Sequence, residues 1–417
     1  MATASSSPAL TENLAPKLAS ISQPPRVISV DLLRGLVMIV MALDHTRDFF
    51  TNIPFPPEDL TRTYGALFFT RFITHYCAPV FFLLAGTGAS LAVFEGKRKI
   101  SRFLWTRGLW LIFLEFTVLG FAWSFLFPFG TALVVWALGW SMIALALIVR
   151  LPVRWIAAMS VVMIATHNLL DRIDPATFGP WSGLWMVLHT PGFYLIHPPA
   201  IGLFVLYPLI PWIGVMAGGY ALGWLFTRPD RRKNIFILGV TLTLLFFVLR
   251  GINHYGNGIA GQPFGMPLGA GPWSHQPTSV LTVISFFNTL KYPPSLDFLL
   301  MTLGPALILL SWFDGIKTER GVARILLVYG RVPMFYYILH IFVIHLAAIG
   351  VAALFHQPYA WLLDGGFFTQ PRPAGYGHGL PFLYAIWILV VGVLYLPCRR
   401  YMEFKRRHRD WSWLSYL

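Results

Sequence analysis

Five consecutive polar residues, Asp44-His45-Thr46-Arg47-Asp48, close an otherwise apolar run that begins at Leu32. General-base chemistry needs an imidazole with a carboxylate to orient it. Residues three apart on a helix share a face, and an imidazole with an ordinary pKa near 6.5 can accept a proton at neutral pH. His45 is therefore the candidate base and Asp48 its candidate orienting group, with Asp44 as the alternative. Charges at a helix end can also simply neutralise one another, but five in a row exceed what anchoring requires. At the other end of the run Asp31 and Arg34 are again i,i+3 neighbours; they read equally as an ion pair and as an anion-binding site. Arg71 and His75 are four apart and share a face at the His45 end. Lys291 and Tyr292, followed by Pro293 and Pro294, enter a later run from that same side. Lys291 either binds an anion or snorkels to the interface. His340 follows Tyr336 by one turn and is a further candidate, although a single buried histidine is usually a satisfied packing residue. All of these are polar groups set in apolar surroundings, where they are costly and hence candidates for function.

Other chemistries find no support. A serine nucleophile elbow, a Walker motif, a dinucleotide fingerprint and HExxH are all missing from the sequence. The two cysteines, Cys77 and Cys398, stand far apart and form no CxxC, which argues against a thiolate metal site or a disulfide framework. No metal is expected.

The elements that carry the polar residues are apolar runs at 29–50, 66–94, 103–126, 131–150, 153–170, 199–226, 234–253, 295–313, 331–355 and 380–398. The chain of 417 residues is 56% hydrophobic and 12% charged, with mean hydropathy +0.64; a soluble domain carries roughly 25% charged residues. Lipid is therefore the expected solvent, and a span needs about 20 apolar residues as a helix. The fold class expected is all-α: a polytopic membrane bundle of about ten transmembrane helices. Residues 1–25, rich in Ala, Ser and Pro, read as a disordered cytoplasmic tail, 26–402 as the transmembrane domain, and 403–417 as a basic cytoplasmic tail. Gly86, Gly88 and Ser90 offer small residues for close helix packing, and Pro293 and Pro294 suit the start of the eighth helix.

Basic residues fall on alternate ends of these runs. One side collects 22 of the 31 Lys and Arg residues and the other 7, with Arg34 and Arg331 inside spans. By the positive-inside rule the first side is cytoplasmic and both termini lie there. The net charge of +14 thus needs no nucleic acid partner, and a cluster such as Lys405-Arg406-Arg407 also suits anionic headgroups. The outward segments 171–198, 254–294 and 356–379 are long and rich in Gly, Pro, Trp and His. They read either as a working face or as interfacial aromatic belts. No fixed-period internal repeat stands out, which weakens a transporter built of repeats.

Val30-Asp31-Leu32-Leu33-Arg34-Gly35 with Met41-Ala42-Leu43-Asp44-His45 resembles the opening of the heparan-alpha-glucosaminide N-acetyltransferase catalytic-domain family, in its bacterial membrane branch. Pro79-Val80-Phe81-Phe82-Leu83-Leu84-Ala85-Gly86, Val135-Trp136-Ala137-Leu138-Gly139, Tyr207-Pro208-Leu209-Ile210-Pro211-Trp212, Lys291-Tyr292-Pro293-Pro294-Ser295-Leu296 and Gly330-Arg331-Val332-Pro333-Met334-Phe335-Tyr336 resemble later blocks. The resemblance implies an acyltransferase that moves an acetyl group from cytoplasmic acetyl-CoA to an amino sugar, or another cell-envelope saccharide, across the membrane. It departs at one point. The family's catalytic histidine lies in the loop after the first helix, whereas no histidine occurs here between His45 and His75, so His45 would serve from the helix end.

On this reading acetyl-CoA is the donor, and Asp48 or Asp44 orients His45. Arg71 or Lys291 stabilises the developing oxyanion, and Arg34, His75, Tyr292 and His340 complete the binding set. An acetyl-histidine intermediate stays open. Arg34 and His45 are eleven residues apart, about 16 Å along a helix and about 20° from sharing one line of its face, which suits an extended pantetheine arm. The partners implied are membrane lipids and a saccharide acceptor, with a homo-oligomer left open. The expected location is the bacterial cytoplasmic membrane, with the active face outward. A proton-coupled transporter or flippase using His45, Asp48 and His340 as proton carriers is the alternative.

Overall fold

The structure, a computed structural model, describes residues 27–92, 97–127, 130–196, 201–259, 271–408, 410–411 and 413–414. The expected tail at 1–25 lies outside them. Each of the ten apolar runs contains helix among the described residues, and the departures show what sequence periodicity could not resolve. Helix α1 (Ile28–Phe50) is buried along most of its length, including Leu32, Leu33, Met38, Ala42, Phe49 and Phe50. The run at 66–94 is two helices, α2 (Gly65–Thr74) and α3 (Cys77–Leu91), interrupted at His75-Tyr76. Pro79 accounts for the interruption, because it has no N–H to donate to the carbonyl of His75. Next come α4 (Lys97–Leu114), a π-helical stretch Glu115–Leu119, and α5 (Gly120–Ser124), which Phe125 ends with φ of 51°.

A small sheet corrects the all-α expectation. Strand β1 (Thr131–Ala132) precedes α6 (Val134–Ile148) and α7 (Val153–Thr166); after α8 (Ser182–Leu188) come β2 (Gly192–Ile196) and β3 (Ile201–Val205). The order is β1-β3-β2: Thr131 pairs in parallel with Phe204, and Phe193 pairs antiparallel with Phe204. The run read as helix from residue 199 is therefore strand through Val205, and α9 (Leu209–Leu225) starts only after Pro208. A short apolar run reads alike as buried strand or buried helix, and Pro208 biases the residue before it towards extended backbone.

The remainder is α10 (Arg231–Ile252), α11 (Ser279–Phe287), α12 (Leu296–Phe313), α13 (Val322–Arg331), α14 (Pro333–Leu354), α15 (Gly366–Thr369) and α16 (Leu380–Arg407). Ser295 caps α12, its Oγ accepting from Phe298 N at 3.2 Å. Two boundaries differ from expectation. Residues 322–330 are helix rather than loop, one face buried through Leu326, Leu327 and Tyr329 while Val322 and Ile325 stay exposed. The last helix continues through Arg407, so residues 403–407 of the basic tail are helical.

Among the described residues seven helices are long and apolar enough to cross a membrane: Gly65–Leu91, Lys99–Ser124, Val153–Leu170, Arg231–Ile252, Leu296–Phe313, Pro333–Leu354 and Leu380–Arg407. Helices α6 and α9 are apolar but shorter, and α1 carries Asp31, Arg34, Asp44, Arg47 and Asp48. The protein is an integral membrane helical bundle. At its centre α1 packs against α2, α3, α12, α13, α14 and α16. Two crossings depend on glycine. A Cβ on Gly35 would sit 1.9 Å from Leu326 O, and one on Gly330 1.9 Å from Asp31 O, so α1 and α13 touch backbone to backbone. Gly86 on α3 and Gly219 on α9 do the same, each 2.0 Å from the opposing carbonyl.

Candidate active site

The end of α1, the end of α2, the turn before α12 and the first turns of α14 surround a cavity of about 460 Å³. Asp44, His45, Asp48, Arg71, Lys291 and Tyr292 all line it, so six of the residues singled out above converge on one space. His75 and His340 stand behind its wall, both buried. Arg34 belongs to a second cavity of about 340 Å³.

The polar wall is a chain of carboxylates and guanidiniums. Arg71 donates from Nη1 to both Asp44 oxygens, at 2.7 and 2.5 Å, and from Nε to Glu58 Oε1 at 2.9 Å. Arg47 donates from Nη2 to Asp44 at 2.9 Å and to Asp48 at 2.5 Å. Arg372 completes the chain, donating to Ile53 O at 2.5 Å and to Asp48 O at 3.0 Å. Burial pushes the Glu58 carboxyl up, but the Arg71 guanidinium, with His75 Nε2 3.6 Å away, outweighs it. The group is held well below the ordinary carboxylate range.

Two roles read from spacing do not hold. Asp48 bonds Arg47 and not His45, because Arg47 lies three residues after Asp44 and next to Asp48 and gathers both carboxylates. Asp44 is likewise taken by Arg71 and Arg47. Arg71 spends Nη1 on Asp44 and Nε on Glu58, while its Nη2 makes no hydrogen bond among the described residues. Lys291 differs: its side chain is 5% exposed, lies with Nζ 5.1 Å from the centre of the Tyr292 ring, and makes no hydrogen bond or ion pair among the described residues. Its turn is held by Lys291–Pro294 bridging, by His167 Nε2 at 2.7 Å from Pro294 O, and by Asn168 Oδ1, which accepts from Leu296 N at 2.8 Å.

His45 is held by rings instead of a carboxylate. Its imidazole lies 4.8 Å from the Trp123 ring centre, 5.0 Å edge-on to His340 and 6.2 Å edge-on to Tyr337. His340 stacks on Tyr336 with 1° between the planes, and its Nδ1 donates to Tyr336 O at 2.9 Å. Trp123 is placed by α5, which His345 fixes, its two ring nitrogens each 2.9 Å from a carbonyl, Ala122 O and Leu362 O. Trp123, Glu58 and Arg372 were not singled out in the sequence, and Arg47 and Tyr337 were given no role there. Aromatics there read as core, and Glu58 sits in a polar loop. Glu115 was also missed, although a carboxyl deep in an apolar run is a signal by itself. It is 1% exposed, and its Oε2 accepts from Trp136 N at 2.8 Å, capping the first turn of α6 from another helix.

The second cavity is apolar along its length, with Met38, Leu84, Leu104 and Leu138, and carries Arg34, Arg107, Arg331 and Lys405. Arg34 Nη1 donates to Asp31 Oδ1 at 2.8 Å and to Gly330 O at 3.1 Å; Arg331 Nε stands 3.6 Å from Asp31 Oδ2. The predicted Asp31–Arg34 pair is thus formed, and its Arg34 member lines the cavity. Phe81, Val134 and Tyr337 line both cavities.

A helical bundle with seven described helices long and apolar enough to cross a membrane, and with buried ionised groups turned into a cavity inside it, defines a polar site of the kind that membrane enzymes use. Residues 26–252 match the model of the family described as heparan-alpha-glucosaminide N-acetyltransferase, catalytic, and the chain belongs to that family. It is therefore a membrane acetyltransferase-type domain. No curated protein matches the chain by sequence. Among the described residues no group of three or more His, Cys, Asp or Glu could hold a metal ion.

Proposed function

We propose that this protein transfers an acetyl group from acetyl-CoA, bound from the cytoplasm, to an amine or hydroxyl of a cell-envelope saccharide on the other side of a bacterial cytoplasmic membrane. The observation that carries this reading is the pair of cavities meeting at Phe81, Val134 and Tyr337. One cavity carries four basic side chains, of which Arg34 is bonded to Asp31 at 2.8 Å and Arg331 to Glu319 at 2.6 Å; the anionic nucleotide end of a donor would join these ion pairs, beside an apolar length suited to a pantetheine arm. The other presents His45 and Lys291 to an acceptor. Arg34 lies eleven residues before His45 on the same helix, which fits a donor lying along α1.

His45 takes the proton from the acceptor as its nitrogen or oxygen attacks the thioester carbonyl. The ammonium of Lys291 faces the negative charge that develops on the carbonyl oxygen. The C–S bond then breaks, coenzyme A leaves as the thiolate and takes up a proton, and the acceptor carries the acetyl group. The Asp44–Arg71–Glu58 chain acts on this chemistry by keeping the wall rigid, while Lys291, with no ion pair among the described residues, has its charge to offer.

The test is transfer of label from radioactive acetyl-CoA to envelope fractions by the purified protein. His45→Ala and His45→Gln should each lose about 10²–10⁴ in rate, while inserting and folding as the parent does. Substantial transfer by both variants would remove His45 from the chemistry.

A further inference from the structure

The first turns of α10 and the last turns of α12 border a third cavity, of about 660 Å³, which shares no lining residue with the other two. Its polar side holds Asp230, Arg232 and Lys233; its apolar side holds Phe236, Ile308 and Trp312. It is a groove open along the outside of the bundle, because Arg232, Lys233, Phe236 and Trp312 are all exposed, Trp312 at 60%. The groove ends where the two helices cross. There a Cβ on Gly239 would sit 2.7 Å from Ile308 N, and one on Gly304 2.4 Å from Thr243 Oγ1, so nothing fits between them. Gly239 stands seven residues beyond Arg232, about 10 Å along the helix.

Three basic residues open α10, and only the first is neutralised. Arg231 Nε donates to Asp314 Oδ2 at 2.9 Å, and Ser29 Oγ donates to the other oxygen of that carboxylate at 3.1 Å. The side chains of Arg232 and Lys233 make no hydrogen bond or ion pair among the described residues. Arg232 is nevertheless seated: a Cβ on Gly315 would fall 2.9 Å from its Cζ, so the bare backbone just after α12 gives the guanidinium its place. Asp230 lines the same groove and opposes the two cations, which leaves the groove with a net positive charge.

We infer that this groove binds an anionic phospholipid, with its phosphate at Arg232 and Lys233 and the start of an acyl chain along Phe236, Ile308 and Trp312. The two sides of the groove make different demands, and such a lipid meets both. A free phosphate pairs the cations but leaves the aromatic surface bare. A zwitterionic lipid covers the apolar side but brings its own cation to compete for its phosphate. Basic pockets between membrane helices recognise anionic headgroups, and aromatic rings at a helix end suit the headgroup level. The site touches neither cavity assigned to transfer, so it stands apart from the acyl-transfer reading.

The experiment reconstitutes the full-length protein in phosphatidylcholine vesicles and adds phosphatidylglycerol or phosphatidylcholine with brominated chains, which quench tryptophan on contact. The Trp312 signal is the difference between each protein and its own Trp312→Phe version. Brominated phosphatidylglycerol should half-quench it at a mole fraction about fivefold lower than brominated phosphatidylcholine does, since each cation near a membrane surface is worth about fivefold and Asp230 offsets one of the two. Arg232→Gln with Lys233→Gln should bring the two lipids level, and Asp230→Asn should widen the gap. Lys233→Gln alone should give an intermediate ratio, which keeps the test decisive if the double variant folds poorly. Equal quenching of the parent by both lipids, or a preference that survives both Gln substitutions, would overturn the site. So would a preference erased by millimolar inorganic phosphate at constant ionic strength, which would make the ligand a free anion.

Discussion

Around His45 every nearby carboxylate is engaged by a guanidinium, and Glu58 is the member whose role pH can isolate. It lies in the loop after α1, with its side chain 9% exposed and bonded to Arg71 Nε at 2.9 Å. Its folded-state pKa is depressed below 4.5. A depressed carboxyl contributes stability that is complete above its unfolded value and is lost as pH falls through the folded one. Glu58→Gln should therefore cost on the order of 3 kcal/mol at neutral pH, as expected when one partner of a buried pair is removed. The gap in melting temperature between parent and variant, measured in detergent, should stay constant from neutral pH down to about pH 5 and narrow below about 4.5. A gap that persists unchanged in stronger acid would mean that Arg71 is not held through the Glu58 charge. At this scale the sequence was readable wherever a polar group was out of place. Asp44, His45, Arg71 and Lys291 interrupt apolar runs, and they converge on one cavity. The pairing was not readable, because i,i+3 geometry says which side chains can meet and not which third one takes them. Arg47 decided that for Asp48.

Among the helices, α1 is the element on which the site depends, and its crossing with α13 brings backbone against backbone. Gly35 faces the Leu326 carbonyl and Gly330 the Asp31 carbonyl, so neither position has room for a methyl group. Gly330 O also receives Arg34 Nη1 at 3.1 Å, which ties the crossing to the second cavity. Gly330→Ala should lower stability by about 1–3 kcal/mol, the usual range for overpacking, and should weaken donor binding through Arg34. Gly350→Ala on neighbouring α14, whose added Cβ would meet nothing within 4 Å, should change neither. Thermal unfolding in detergent separates the two; equal behaviour would show that the α1–α13 contact can relax. The spans were legible because lipid forces apolar runs into helix. Helix α13 was not: its polar face includes Arg324, its preceding residues are basic, and only one side of it is apolar, as at a loop beside the membrane. The sheet was hidden for the opposite reason, since Ile201–Val205 is uniformly apolar and gives no period to read.

Across the whole molecule the charge and the contacts agree on two ends. Ser29 Oγ donates to Asp314 Oδ1 at 3.1 Å and Arg231 Nε to Asp314 Oδ2 at 2.9 Å, so α1 begins where α10 begins and α12 finishes. The other end of α1 meets the loops, with His378 paired to Thr51 and Arg372 donating to the carbonyls of Asp48 and Ile53. The four-cation cavity opens near the first end and the His45 cavity near the second. If the basic first end is cytoplasmic, donor and acceptor are used from opposite sides, and the protein need not rock between two states to join them. Inside-out vesicles should then consume acetyl-CoA added from outside, and right-side-out vesicles should do so only after permeabilisation. The same vesicles supply an independent reading of topology. Cys77 and Cys398 are buried, so the background for thiol labelling is low. Asn52 and Lys317 are exposed at the second and first ends respectively. An impermeant thiol reagent should modify Asn52→Cys in right-side-out vesicles and Lys317→Cys in inside-out ones. Labelling with the sides exchanged would reverse the orientation. Correct labelling, with donor consumed from the Asn52 side, would instead keep the orientation and move the donor to the His45 cavity.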